Sequence, residues 1–286
     1  MIWVPGGEFT MGSDRHYPEE APTHRVSVAG FHIDPHPVTN DEFARFVADT
    51  GHVSVAEAFA EPASAVFTPP PHRVSLTDAY QWWSLVPGAD WRHPLGPNSS
   101  LAGLGDHPVV HVAWEDVTAY AAWAGKELPT ETEWEFAARG GLEGAEYAWG
   151  AELTPGGTHM ANVWQGDFPH ANDLEDGYQW TSPVGSFPPN GYGLVDMIGN
   201  VWEWTGDWWA ERSRLARRAA SCCGGTQQMS VDPQLPIAER IPRKVMKGGS
   251  YLCAPNYCRR YRPAARLPQA VDTSTCHLGF RCVVRG

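Results

Sequence analysis

Two cysteines, Cys253 and Cys258, stand five residues apart in "GGSYLCAPNYCRRYR" (248–262). Thiols at this spacing can chelate a soft metal from one loop, close a small disulfide, or pack as unrelated buried groups. Structural zinc usually takes four ligands, and no second Cys or His pair stands nearby at ribbon-like spacing. Two thiolates without a further ligand suit two-coordinate Cu(I) better. Residues 239–266 hold eight of the chain's 21 Lys and Arg and one acid, Glu239. A positive setting favours the thiolate. The alternative is a solvated basic strip with no effect on the sulfurs.

A second chemistry lies in the oxygen donors. "ANVWQGDFPHANDLEDGYQW" (161–180) contains Asn162, Asp167, Asp173, Glu175 and Asp176. "DMIGNVWEW" (196–204) contains Asp196, Asn200 and Glu203. Carboxylate, amide and carbonyl oxygens are what Ca²⁺ takes, although neither stretch is an EF-hand loop. Solvated acidic loops are the alternative reading.

Few regular elements are available to position these groups. "TNDEFARFVADTG" predicts a helix capped by Thr39 or Asn40, with Phe43, Phe46 and Val47 on one face and Gly51 as its stop. "WEDVTAYAAWAG" predicts a second, with Val117, Tyr120, Ala121 and Ala124 on one face and its end at Gly125. "TETEWEFAARGG" opens with a Thr130–Glu133 capping box and stops at Gly140. Residues 24–33 and 279–285 alternate like strands. Segments 52–110 and 150–200 are rich in Pro, Gly, Asn and Asp, and loops of that length are usually functional or held by ions. Residues 210–238 read as an exposed excursion, and the thiols of Cys222 and Cys223 within it as surface groups without a role.

The 286-residue chain has 14 Trp, 29 Gly and 25 Pro, which suits one loop-rich domain with aromatics filling its irregular interior. A formal charge of −12 argues against non-specific nucleic-acid binding. The start, "MIWVPGGEFTMGS", lacks a basic and apolar leader, and no run of about 18 apolar residues occurs. The chain reads as a soluble cytoplasmic protein, and six cysteines in that setting do not suggest a disulfide scaffold.

"GLVDMIGNVWEWTGDWW" (193–209), "VMKGGSYLCAPNYCRRYRPAAR" (245–266) and "LGFRC" (278–282) resemble the formylglycine-generating enzymes, the sulfatase-modifying oxidases. "WVPGGEFTMGS", "PVTNDEFARF" (37–46), "DWRHPLGP" (90–97), "HPVVHVAWEDVTAYAAWAGKELPTETEWEFAARGG" (107–141) and "ANVWQGDFP" extend the likeness over nearly the whole chain. The C-x4-C pair is its specific part.

The resemblance implies an α+β fold with little regular secondary structure, a variant of the C-type lectin-like fold. It implies oxidation of one cysteine in a C-x-P-x-R motif of an unfolded sulfatase polypeptide to Cα-formylglycine, with Cu(I) and O2, by a monomer that needs neither membrane nor nucleic acid. Cys253 and Cys258 match the copper-binding thiols. Ser250 and Trp202 match residues beside the copper, and Tyr257 lies in the same segment. Two structural calcium sites carry over. One matches the side chains of Asn162 and Asp176 with the carbonyls of Val163 and Tyr178. The other matches the side chains of Asp196 and Glu203 with the carbonyls of Gly199 and Val201.

The chain departs from the animal members in several places. Ala121, Ala138 and Pro263 replace three of their four disulfide cysteines, leaving Cys282. Ala254 replaces a His, and His277 an Asn with a substrate contact. Trp82, Trp83 and the "DWRHP" segment either line a peptide groove or pack the core. Two rival classes are an iron-dependent sulfoxide synthase and a calcium-dependent lectin-like binding module. The first should supply a His triad, usually with an extra helical domain, and the second leaves the paired cysteines unexplained.

Overall fold

The computed structural model describes residues 1–212 and 227–286. Its strands are β1 (Ile2–Val4), β2 (Gly7–Met11), β3 (His24–Val28), β4 (Phe31–Ile33), β5 (Ala63–Phe67), β6 (Trp83–Pro87), β7 (Trp202–Trp208), β8 (Arg243–Lys247), β9 (Arg266–Ala270), β10 (Leu278–Gly279) and β11 (Val283–Arg285). Its α-helices are α1 (Asn40–Thr50), α2 (Val55–Ala58), α3 (Trp114–Trp123) and α4 (Glu131–Ala138).

The helices obey local rules. Thr39 caps α1 in a capping box with Glu42, and Gly51 closes it with φ of 69°. Phe43 and Phe46 are buried and meet Tyr120 of α3 at 6.0 and 5.5 Å. The α3 N-terminus is held by Asp116, whose Oδ2 accepts from Ala113 N–H at 2.8 Å. Thr130 and Glu133 form the expected box on α4. The short helix α2 was not foreseen, although Ser54 and Glu57 carry the same box.

A four-stranded sheet ordered β10-β7-β8-β9 carries the rear of the site. β10 runs parallel to β7, and the other pairs are antiparallel. A second sheet is ordered β1-β4-β11, and β2–β3 and β5–β6 form two-stranded ribbons.

The two predicted strands are each broken in two. In 24–33 the break falls at Gly30, where a Cβ would lie 2.4 Å from the Trp3 ring. β3 therefore pairs with β2, and β4 with β1 and β11. In 279–285 the chain leaves β7 after Gly279 and joins β4 from Val283.

The main core holds Phe43, Trp134, Trp202, Trp204, Tyr261 and Phe280, with Cys253 among them. A smaller aromatic cluster, with Phe67, Trp82, Trp164 and Phe168, underlies Tyr251, Leu252 and Ala254. Residues 210–238 do not form a wholly exposed excursion, because Ala210, Arg212 and Ser230 are buried. Arg212 bonds Glu20 O, Glu131 and Glu135, and Ser230 Oγ accepts from Arg243 N–H. Cys222 and Cys223 lie outside the described residues.

Candidate active site

The chain leaves β8 through Gly248 and Gly249, with φ of 95° and 73°. A Cβ at Gly249 would lie 2.7 Å from the Arg260 carbonyl, so this turn accepts only glycine. The following residues fold onto themselves: Cys253 N–H donates to Ser250 O, and Cys258 N–H to Ala254 O, both at 2.9 Å. Trp164 N–H reaches Cys253 O at 3.1 Å, and Tyr251 N–H reaches Asn200 O at 2.9 Å. The two oxygen-rich segments thus hold the cysteine loop from either side.

Cys253 Sγ and Cys258 Sγ lie 3.2 Å apart, both as free thiols. They share a proton unequally. Burial pushes the Cys253 thiol well up. The hydrogen bond from Cys253, followed by the charge of Arg260, lowers Cys258 to about 7. Arg260 Nη1 stands 3.8 Å from Cys258 Sγ, and Ser250 N–H donates to Cys253 Sγ at 3.4 Å.

Much of the rest of the basic stretch is paired away from the sulfurs, with Arg259 exposed beside Glu146. Arg262 pairs with Glu20, Arg266 with Glu131, and Lys247 with Glu135, all buried. Arg260 is the exception, and Glu19 and the Tyr17 ring hold it in place.

Ser250 is fully buried, and its Oγ lies 3.0 Å from His277 Nδ1. Trp202 is buried, and its N–H donates to His277 O at 2.8 Å, which ties β7 to the same residue. Tyr257 stacks on Phe168 at 4.7 Å and meets Trp82 edge-on at 5.5 Å. Trp83 lies against His277 at 4.9 Å. Of the "DWRHP" segment, Trp91 belongs to the main core, against Phe43 at 5.1 Å. Ala254 is fully buried in the aromatic cluster, so that position has no polar role. Ala121, Ala138, Pro263 and Cys282 are all buried, with Cys282 a free thiol.

A groove of about 680 Å³ opens beside the β5–β6 ribbon. Phe59, Leu85 and Ile241 line it, with the carboxylates of Glu61 and Asp272. Two neighbouring segments run from it to the cysteine loop, 63–67 ending at Phe67 and 273–277 ending at His277. They are tied by Cys276 N–H to Ala65 O at 3.0 Å and by Ser64 Oγ to Ser274 Oγ at 2.6 Å.

The residues fit soft-metal binding at the cysteines. Two sulfurs converge, one is drawn toward thiolate, and the glycine turn fixes the loop that carries them. Among the described residues, no group of three or more His, Cys, Asp and Glu side chains converges on a metal position. That leaves an iron-binding His triad without support.

The oxygen-rich sets differ from each other. Val163 O and Asp176 Oδ2 converge on Gln165 Nε2, so two acceptors already face one point. Asn162 Nδ2 donates to Trp180 O, which leaves its Oδ1 as acceptor, and Tyr178 N–H donates to Asp176 Oδ1. In the second set, Asp196 is buried, and burial pushes it up to about 6. Its Oδ2 accepts from Gly185 N–H. Glu203 already accepts three N–H bonds, two from Arg281 and one from Trp134. A carboxylate has about four lone-pair sites, so one remains. Asp176 likewise accepts three N–H bonds, whereas Asp196 accepts one, and both sets retain oxygen acceptors for a hard cation.

Cys253, Cys258 and Ser250, named from the sequence, come together in one loop, with Trp202 tied to His277 and Tyr257 stacked on Phe168. Arg260 stood out in sequence only as one of eight basic residues, and the partners that hold it, Tyr17 and Glu19, were not foreseen. The proline-bearing "YPEE" (17–20) was the only local sign of a rigid segment there.

The profile of the Sulfatase-modifying factor enzyme 1-like domain matches residues 1–286. The formylglycine-generating enzyme of Mycobacterium tuberculosis is 51% identical, with 99% of this chain and 97% of that protein aligned. That of Streptomyces coelicolor is 49% identical, over 99% of this chain and 88% of that one. Among solved structures, PvdO from Pseudomonas aeruginosa superposes with a TM-score of 0.62 at 27% identity, covering 98% of this chain and 92% of that one. With its few helices and short sheets, the fold is the C-type lectin-like variant expected from the sequence. From its two ends inward, the chain belongs to the sulfatase-modifying factor family, that of the formylglycine-generating enzymes.

Proposed function

We propose that this protein is a copper-dependent aerobic oxidase that converts the cysteine of a C-x-P-x-R motif in an unfolded sulfatase polypeptide to Cα-formylglycine. The observation that carries this reading is the approach of Cys253 Sγ to Cys258 Sγ at 3.2 Å, with Cys253 buried, Cys258 half-buried and the Ser250 N–H on Cys253 Sγ. Bound Cu(I) supplies a soft centre that engages a thiolate and dioxygen.

The protein's own residues do the rest. Cys253 and Cys258 would hold the metal. The hydrogen bond from Cys253, and then the charge of Arg260, draw Cys258 toward its thiolate form, ready to bind. Trp202 and the aromatic cluster under the loop exclude water while the substrate Cβ is oxidised. Tyr257 and Trp83 are the aromatic surfaces against which an extended peptide would settle. The groove with Glu61 and Asp272 suits the basic end of the motif. An extended strand advances about 3.3 Å per residue, so the four residues from cysteine to arginine span about 13 Å. Hydrolysis of the oxidised cysteine, after the peptide leaves the dry pocket, gives the aldehyde.

Structural calcium at the Asn162/Asp176 and Asp196/Glu203 sets would tie down the loops that hold the cysteine segment. No helix among the described residues is long and apolar enough to cross a membrane. The test is aldehyde formation on a synthetic C-x-P-x-R peptide, followed by mass spectrometry with Cu(I) and oxygen present or withheld. A mass loss in the peptide that needs both is the expected result. An unchanged peptide under those conditions would refute the reading.

A further inference from the structure

The bond between Ser250 and His277 has two possible directions, and they have opposite consequences. Ser250 Oγ can accept two hydrogen bonds and donate one. It accepts from Leu252 N–H at 3.3 Å and lies 3.0 Å from His277 Nδ1. If the hydroxyl donates to the imidazole, its only proton is spent on the protein. If Nδ1–H donates, both lone pairs are filled and the proton is free to face the pocket.

Three observations favour the second direction. Ser250 is fully buried, so bulk water does not compete for its proton. Its own N–H already donates to Cys253 Sγ at 3.4 Å, which places the residue against the sulfur pair. Sulfur lone pairs are acceptors, so a hydroxyl proton that the protein leaves unused can serve a sulfur brought within its reach. His277 is well placed to donate. Its carbonyl is fixed by Trp202 N–H at 2.8 Å and its ring by Trp83 at 4.9 Å. Burial, then the neighbouring His111, lowers its pKa well below the ordinary value, so the ring is neutral and has one N–H to place.

We infer that His277 is a positioning residue that donates from Nδ1 to Ser250 Oγ, so that the Ser250 hydroxyl serves as a donor to a sulfur or oxygen lone pair brought into the pocket. The inference rests on the reading of this pocket as the oxidation site, but its first test does not.

That test is the tautomer. Protein labelled with ¹⁵N in its histidines, free of metal, is observed by long-range ¹⁵N–¹H correlation, with the His277 signal identified by its loss in His277→Asn. The expected pattern has a protonated Nδ1 and a bare Nε2. Ser250→Ala removes the acceptor and should shift the ring toward the Nε2–H form. An Nε2–H tautomer in the unaltered protein, or no response to Ser250→Ala, overturns the inference.

The second test is kinetic. His277→Leu should lower kcat for the peptide by about 10–100-fold, the usual range for a lost supporting bond. KM and the melting temperature should stay unchanged. His277→Asn, which keeps an N–H donor, should recover most of the loss. Equal losses in both variants would overturn it. If His277→Leu does not fold, the tautomer measurement still decides. If the unaltered enzyme leaves the peptide intact, the functional reading fails while the tautomer result stands.

Discussion

Arg260 bonds Glu19, 241 residues away, through Nε at 3.0 Å and Nη2 at 2.5 Å, while its Nη1 faces Cys258 Sγ at 3.8 Å. Its guanidinium lies over the Tyr17 ring, with the central carbon 3.7 Å from the centroid. One side chain therefore connects the start of the protein to the reactive thiol near its end.

Removing that charge should make Cys258 a weaker acid. The hydrogen bond from Cys253 and the guanidinium hold its pKa at about 7, below its ordinary value. Arg260→Met removes one of these influences, so the pKa rises and less thiolate is present at pH 7. The midpoint of the alkylation rate against pH, measured with iodoacetamide on the metal-free protein, should move upward. A midpoint unchanged in Arg260→Met would refute the assignment.

Copper should bind once per chain, and only when both sulfurs are present. Cys253→Ala and Cys258→Ala should each lower turnover by about two orders of magnitude or more, beyond what loss of a supporting residue does. Metal analysis after equilibration with Cu(I) checks the binding. Stoichiometric copper retained by the double variant would contradict the site.

Calcium should raise stability through mass action. At about 100 times its Kd, a ligand confined to the native state contributes about 2.7 kcal/mol. In a protein of this size that is a shift of several degrees. Chelator should lower the melting temperature, and Asp176→Ala should abolish that sensitivity at the first set. Asp196→Ala suits the second set better than Glu203→Ala, because Glu203 also pairs with the buried Arg281. Identical melting curves with and without chelator, after confirmed ion removal, would count against both sites.

Acid should strike the buried ion-pair cluster. Burial alone would raise Glu135, but Lys247, Arg212 and Arg139 more than offset it and bring it down to about 2. Its folded pKa is thus below its unfolded one. The stability it contributes is fully present above about pH 4.5 and is lost as pH falls toward 2. Glu131→Gln would leave Arg266 without a counter-charge and Arg212 with Glu135 alone, at a cost of about 3–5 kcal/mol. Urea unfolding at pH 7 and pH 4 reads both effects.

Glu61→Ala and Asp272→Ala should each raise KM for a C-x-P-x-R peptide by about two- to fivefold, the scale of an exposed ion pair. The same variants should not affect a peptide in which Arg is replaced by Ala. Equal effects on both peptides would separate the groove from the arginine.

The helices were legible because their signals are local. Thr39, Thr130, Gly51 and their neighbours carry cap and stop within a few residues. The strand at 24–33 was misread because its break depends on Trp3, which lies under Gly30 only in the folded chain. The nearness of the two sulfurs could be read from a five-residue spacing. The role of the basic stretch could not. Its arginines look alike in sequence, and their sorting depends on acids at positions 19, 20, 131 and 135. Even the boundary of the supposed excursion was tertiary, since Arg212 is fixed by Glu20 O and α4.

The tie between Tyr17–Glu20 and residues 259–266 also governs when the site can come into being. A ribosome releases the first 20 residues long before the cysteine loop exists, and the partners of that loop wait unsatisfied through most of translation. Contacts of such long sequence separation form late and slowly. Cys253 and Cys258 therefore gain these supports only after residues 248–266 have emerged and docked on 17–20. A truncation or bulky fusion at residues 17–20 would leave most of the polypeptide intact and still prevent the pocket from assembling.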